Sequence, residues 1–413
     1  MNECRLLLPQ DARIDGAEAL RRVATARRVA LAPASQEAKE FCAALSTRLL
    51  NDPRCRPFPT LQALGYWLRP AALERMIATH LAETSAQRPM PCGTVFAITP
   101  GTIETLFAYL AAIALLCGDA IVVRLSRQEG AASALLIALF ADCLAEAPQA
   151  LRDRVILLSY GHDDAMTGAL SLACDTRLVW GGDETVRHIG ALPLPPAARN
   201  FGFGDRFSLA ALNAARYAAL DAAERDKLAQ QFFNDVYLFD QLACAAPRLL
   251  YWIGEEAEAA QVETDFYRRV NAVAEARGYR PALAENLAKL NARFLALHDL
   301  DVADCAVFGP ALTVLRLRSL RHVAAFKSVN WGYGLLLAAC LPDLAAIAAH
   351  NDPCDQTLSC WGFAPEAISA LAQSLPDKGL GRIVPTGQAL TFDAVWDGVN
   401  LFDAMTRRER AAP

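Results

Sequence analysis

The sequence predicts an α/β protein made of two Rossmann-like domains, each an open parallel sheet covered by helices. Two observations carry this expectation. The chain has 413 residues, which is long for one hydrophobic core and makes two domains the default. From residue 94 onward, short apolar runs rich in β-branched residues alternate with helical patterns, as strands buried on both faces of a parallel sheet do.

Residues 1–90 mix helical patterns such as "GAEALRRVATARR" and "SQEAKEFCAALSTRLL", then close on the connector "SAQRPMPCG". They read as a helical approach to a sheet. "TVFAIT" and "AIVVRLS" are strands around the turn and helix "PGTIETLFAYLAAIALLCGD", which makes a βαβ unit. The helix "GAASALLIALFADCLAEA", strand "RVILLSY", a helix ending near Leu172, strand "TRLVWGG" and helix "DETVRHIGAL" continue it. Several helices are expected between 208 and 236, followed by "FDQLACAAPRLLYW" (239–252) and the helix "EEAEAAQVETDFYRRVNAVAEARG" with Gly278 as its C-terminal stop. Alternation resumes from "FGPALTVLRLRSL" to "GRIVPTG", and the aromatic tail "TFDAVWDGVNLFDAMTRRERAAP" follows. The expected division is 1–207, N-terminal helices with a nucleotide-binding domain; 208–385, a second domain around Cys244; and 386–413, a tail that packs on the first domain or on a second subunit.

Composition narrows the function. With 54% hydrophobic residues, 21% charged residues and a net charge of -5, the chain has the balance of a well-buried globular protein and lacks the basic patches of a nucleic-acid or anionic-membrane binder. The apolar run Leu6–Leu8 is too short for a signal-peptide core, and "LFAYLAAIALLCG" stops at Gly118 before it could span a bilayer. A cytoplasmic protein is expected. The twelve cysteines form no CxxC pair and no zinc-like cluster; they are expected as reduced thiols, with Cys117, Cys143 and Cys340 filling cores. The six histidines stand apart in sequence, and no metal site is expected.

Walker A, HExxH and G-x-S-x-G patterns are absent, and "GFGDRF" (202–207) lacks the third glycine of a dinucleotide fingerprint. "VWGGDETVRHI" offers a strand, two glycines and a helix N-terminus, a place where a pyrophosphate could lie. Against that, Asp183 stands at the N-cap position, where a carboxylate repels phosphate unless it is occupied capping. Arg124 and Ser126 fall at the C-terminal end of a parallel strand, the ligand edge of such sheets, though Arg124 alone also fits a surface charge. For Cys244 the neighbours Asp240, Gln241 and Arg248 suit a reactive thiol, and the apolar run after it suits a core filler; local sequence leaves both open.

Taken in order, these segments resemble the aldehyde dehydrogenase superfamily over roughly residues 90–402. Within it, "GRIVPTGQALTFDAVWDGVNLF" and "FGDRFSLA" are similar to the LuxC-like acyl-CoA reductases of bacterial fatty-acid reduction. The resemblance implies an aldehyde-dehydrogenase-like fold with a nicotinamide cofactor, NADPH expected and NADH as the alternative. It places Arg124 at the adenosine ribose with Ser126 on the serine of the family's Lys-Pro-Ser strand end, Gly181 and Gly182 at the phosphate-facing turn, Thr99 and Pro100 on the cofactor-lining strand and turn, and Phe308 in the Phe-Gly-Pro stretch "VFGP". "NWGYGLLLAAC" is similar to the family's Tyr-Gly-Leu stretch. "FDQLACAAPRLLYW" resembles the nucleophile segment, with Cys244 as the catalytic thiol.

The departures from that pattern imply chemistry of their own. Asn200 or Phe201 of "RNFGFG" stands where hydrolytic members carry a water-activating glutamate. Thr102 replaces the oxyanion-binding asparagine, and Ala306 the glutamate that holds the nicotinamide ribose. A thioester that is not readily hydrolysed suits reduction. The resemblance thus implies an NADPH-dependent long-chain acyl-CoA reductase of the acylating aldehyde dehydrogenase type. Its donor would be an acyl-CoA or an acyl-protein thioester supplied by an acyl-protein synthetase partner, and it would form a homo-oligomer. The alternatives are a cysteine acyltransferase or thioesterase without redox chemistry, and a non-catalytic subunit that organises such a synthetase.

Overall fold

A computed structural model describes residues 3–27, 31–82, 87–101, 103–125, 130–329, 331–375 and 379–410. Thr102 and Ser126 lie outside the described residues. The chain divides into two compact units, one of residues 1–204 with 392–413 and the other of residues 205–391.

The first unit holds β1 (Glu3–Leu8), β2 (Ala12–Asp15), β3 (Gln87–Pro91), β4 (Thr94–Ile98), β5 (Ala120–Leu125), β6 (Val155–Ser159), β7 (Thr176–Trp180) and β8 (Arg199–Phe203). Seven of these form one sheet in the order β2-β1-β6-β5-β4-β7-β8. From β6 to β8 every pairing is parallel, while β1 runs antiparallel to both β2 and β6. The helix Leu106–Cys117 is buried at every residue, as expected of a helix apolar on all sides. Among the described residues no helix is long and apolar enough to cross a membrane.

The second unit holds β9 (Phe207–Asn213), β10 (Pro247–Ile253), β11 (Val302–Val307), β12 (Thr313–Leu317), β13 (Leu335–Leu341), β14 (Asp355–Trp361) and β15 (Arg382–Pro385). Their order is β11-β12-β13-β10-β9-β14-β15. Only the edge strand β11 is antiparallel. The strand after Cys244 is therefore central in its sheet. The tail returns to the first unit with β16 (Val395–Trp396), β17 (Val399–Asn400) and β18 (Thr406–Arg410). β18 pairs antiparallel with β3, and Leu401, Phe402 and Met405 are fully buried.

Two local expectations fail. Residues 207–213 form β9 rather than the start of a helical stretch. "FSLAALN" is rich in Ala and Leu, which favour helices, but parallel neighbours on both sides and near-complete burial override that preference. The N-terminal segment is not purely helical either. "ECRLLL" becomes β1 because Leu6 and Leu8 are fully buried against β6.

Candidate active site

In the second unit the N-terminal ends of β9, β10, β13 and β14 lie at one edge of the sheet. The Cys244 segment crosses it just before β10. Asp240 and Gln241 both take left-handed conformations, with φ of 53° and 61°, a backbone that non-glycine residues adopt only when the surroundings enforce it. The Gln241 side chain supplies that enforcement. Fully buried, it donates to Pro247 O at 2.9 Å and Leu335 O at 3.0 Å, and accepts from Gly334 N at 3.0 Å. Gly334 is required here: its φ is +80°, and a Cβ would stand 1.8 Å from Ala311 O. Tyr333 N donates to Asp240 O at 2.8 Å, so the segment is braced to β13 at two points.

The following turn is closed by Ala246 N donating to Ala243 O at 3.0 Å, with Cys244 at its second position. Ser208 Oγ donates to Cys244 O at 2.7 Å and accepts from Thr357 N at 3.2 Å, tying the turn to β9 and β14. Cys244 is half-buried; of the three expected core fillers Cys117 and Cys143 are buried, while Cys340 is half-buried, as are Cys305 and Cys354. Gln356 Nε2 donates to the Cys244 Sγ at 3.3 Å. A donor aimed at sulfur favours the thiolate over the thiol.

Arg248 adds a second influence. It is 5% exposed and lies over the Trp331 ring at 5.6 Å. Burial pushes its guanidinium down to about 10, opposed by the attraction of Cys244. It therefore stays cationic at neutral pH and contributes positive potential beside the sulfur. Replacing Gln356 with Leu keeps the packing volume and removes the donor. Since a hydrogen bond to a charged group is worth roughly 1.5–3 kcal/mol, the midpoint of iodoacetamide alkylation at Cys244 should rise by about one to two pH units. An unmoved midpoint would show that the amide does not tune the sulfur.

Neither Gln356 nor Ser208 stands out in the sequence as a site residue, because the Gln356–Cys244 contact spans 112 positions. The register of β14 is anchored one residue earlier. Asp355 accepts from Lys327 Nζ at 2.6 and 2.8 Å, and both side chains are almost completely buried, at 2% exposure for Lys327 and 0% for Asp355.

In the first unit the cofactor candidates gather at the C-terminal ends of β4, β5 and β7. Thr99 is buried, and its N and Oγ1 donate to Arg124 O at 3.1 and 3.3 Å; half-buried Pro100 follows. Arg124 lies over the Tyr160 ring at 5.2 Å and donates to Gly161 O at 3.3 Å. With His162, Thr167, Glu184 and His188 it lines a cavity of about 340 Å³. The helices Asp164–Leu172 and Asp183–Gly190 flank that cavity. Gly181 N donates to Phe203 O at 3.2 Å, and Gly182 caps the second helix. Asp183 is thus the first helical residue rather than the cap, since Gly182 already takes the extended cap conformation. Gly202 permits close packing there: a Cβ would stand 2.4 Å from Val186 Cγ1.

Asn200 accepts from Arg177 Nε at 2.8 Å. Phe308 belongs to the second unit, where its ring lies 5.4 Å from that of Tyr267.

Two parallel-dominated seven-stranded sheets, with a half-buried cysteine at the N-terminal edge of one, define a protein of the aldehyde dehydrogenase fold. The chain is similar to the aldehyde dehydrogenase KauB from Pseudomonas aeruginosa, at 16% identity and TM-score 0.66 over 99% of this chain and 92% of that one. An indole-3-acetaldehyde dehydrogenase solved with NAD+ gives 16% and 0.65 over 99% and 92%. A NAD-dependent benzaldehyde dehydrogenase from Corynebacterium glutamicum gives 13% and 0.64 over 96% and 88%. Within that fold the chain belongs to the LuxC family of acyl-CoA reductases: residues 69–292 match the family described as Acyl-CoA reductase (LuxC). None of the curated proteins matches it.

Proposed function

We propose that the chain is an NADPH-dependent long-chain fatty-acyl-CoA reductase in which Cys244 carries the acyl group. The observation that supports this most directly is the Gln356 donor on the sulfur of a half-buried cysteine within a chain of this family. The Cys244 thiolate attacks the carbonyl carbon of an acyl thioester, the C–S bond to coenzyme A breaks, and the departing thiolate takes up a proton. Exchange of one thioester for another changes little free energy. The bound acyl group then waits for reduction.

The first-unit cavity fits the adenosine end of a nicotinamide dinucleotide. It lies at the C-terminal ends of parallel strands, next to a glycine turn that opens a helix, where backbone N–H groups favour phosphate. Of the expected cofactor residues Arg124 lines this cavity, Thr99, Pro100, Gly181 and Gly182 stand at the neighbouring strand ends, and Phe308 is the remaining candidate. Arg124 supplies one cation to a lining that also carries Asp163, Asp164 and Glu184, so the choice of NADPH over NADH rests on the family resemblance. When bound, the cofactor supplies the hydride that converts the acyl thioester to a thiohemiacetal. The Cys244 backbone N–H, at the second turn position, is the proposed donor to the oxyanion; the resemblance adds Thr102, which lies outside the described residues, as the second. Collapse of the thiohemiacetal returns the Cys244 thiolate and releases aldehyde. Asn200 has no carboxylate and is engaged by Arg177, which disfavours hydrolysis as the competing fate.

The purified protein, mixed with a long-chain acyl-CoA and NADPH, should lose reduced-nicotinamide absorbance in step with aldehyde formation. Release of coenzyme A thiol with no cofactor oxidation would instead identify an acyltransferase or thioesterase.

A further inference from the structure

A second cavity, of about 230 Å³, lies in the second unit between the helix Leu283–Asp299 and the loop that follows β11. Its walls include Asn286, Lys289, Leu290, Arg293, Val307 and Pro310. Two of these are cations on one helix face, four residues apart, where like charges repel. Lys289 is only 8% exposed, and its Nζ donates to Pro310 O. Burial and the charge of Arg293 push the ammonium down to about 8. Arg293 lies 5.5 Å from the Phe294 ring, and its Nε is buried without an acceptor. Among the described residues neither cation forms an ion pair with a carboxylate. Burying a cation without an anion is costly; Lys289 has only the Pro310 carbonyl as partner, and half-buried Arg293 adds a second positive charge to the same wall.

The cavity also has a defined place relative to the thiol. Thr313 lines it and opens β12, which pairs in parallel with β13, and β13 pairs in parallel with β10. The Thr313 side of the cavity therefore lies at the same sheet edge as the start of the strand that follows Cys244, two strands across, or roughly 10 Å between strand axes at the usual spacing. The wall between the cations is apolar, formed by Leu290 and Val307. Leu287 and Phe294 on the same helix are exposed at 51% and 57%.

Taking the acyl-CoA reductase reading as its basis, we infer that Lys289 and Arg293 form a phosphate-binding subsite for the carrier portion of the thioester. The cations hold a phosphate of coenzyme A while the neighbouring apolar wall receives less polar parts of the carrier. The thioester itself reaches Cys244 along the shared sheet edge. The subsite binds the carrier and takes no part in bond making or breaking.

The same chemistry could serve a phosphate of the nicotinamide cofactor, so the test separates the two sources. Arg293→Gln, Arg293→Lys and Lys289→Met would be assayed with a fatty acyl-CoA and with the same acyl group on N-acetylcysteamine, which carries no phosphate. The ratio of kcat/KM for the two thioesters should fall about tenfold in Arg293→Gln and Lys289→Met through KM for the CoA ester, with partial recovery in Arg293→Lys. An unchanged ratio would overturn the subsite, as would a rise in KM for NADPH without one for acyl-CoA. Titration of coenzyme A into Cys244→Ala, with and without Arg293→Gln, tests the subsite without any turnover. Weaker binding in the double variant supports the subsite, and equal binding refutes it, whether or not the wild-type chain reduces acyl-CoA.

Discussion

Cys244→Ala should lower aldehyde formation from acyl-CoA by on the order of 10^4-fold or more, the scale seen when a covalent nucleophile is removed, while NADPH affinity stays close to wild type. The expectation rests on contrast among the cysteines. Cys42, Cys92 and Cys117 are buried, and burial raises each thiol, Cys42 to about 12. Such groups stay protonated and out of reach of a substrate. Cys340 and Cys354 are half-buried like Cys244, but burial raises both thiols; Cys244 differs in receiving an amide donor at 3.3 Å and sitting beside the Arg248 cation. Incubation with a radiolabelled acyl thioester should label the wild-type chain and leave Cys244→Ala unlabelled. Label that persists on another residue, or turnover near the wild-type rate, would remove Cys244 from the mechanism. Loss of NADPH binding in the variant would point to a folding defect instead.

The parts of this site that were legible in the sequence are those carried by short contiguous patterns. Parallel strands covered on both faces read as continuous apolar runs, which is why β4, β5, β6, β7 and β10 could be placed. The turn at Gly181 and Gly182 was legible because glycine marks chain reversals. β9 was not, because its alanines and leucines are helix formers whose strand state is imposed by neighbours from distant parts of the chain. The groups around the thiol were hidden for the same reason. Gln356, Ser208 and the Gln241 brace act through tertiary contacts, and no local spacing encodes them. A family resemblance could mark the cysteine; only the folded chain shows what surrounds its sulfur.

The largest effect on stability should come from Lys327, which touches no proposed reacting atom. Its ammonium and the Asp355 carboxylate are joined by two short bonds with almost no solvent contact, and Asp355 also accepts from Asp352 N at 2.8 Å. Lys327→Met retains most of the side chain's length and apolar contact, but removes the cation over the Phe207 ring and strands a buried carboxylate. Breaking such a pair costs about 3–5 kcal/mol, a large share of the roughly 5–15 kcal/mol that usually holds a domain together. At about 2–4 °C per kcal/mol for a unit of this size, the melting transition should fall by roughly 6–20 °C. Adding Asp355→Asn removes the second charge and keeps an acceptor for Asp352 N, so the double variant should regain most of the loss. The pair also fixes the strand end that carries Gln356, so the alkylation midpoint of Cys244 in Lys327→Met should move upward, in the same direction as in Gln356→Leu, at temperatures where the fold is still intact. A single variant that melts with the wild type, or a double variant no better than the single, would show that the pair does not hold this edge of the sheet.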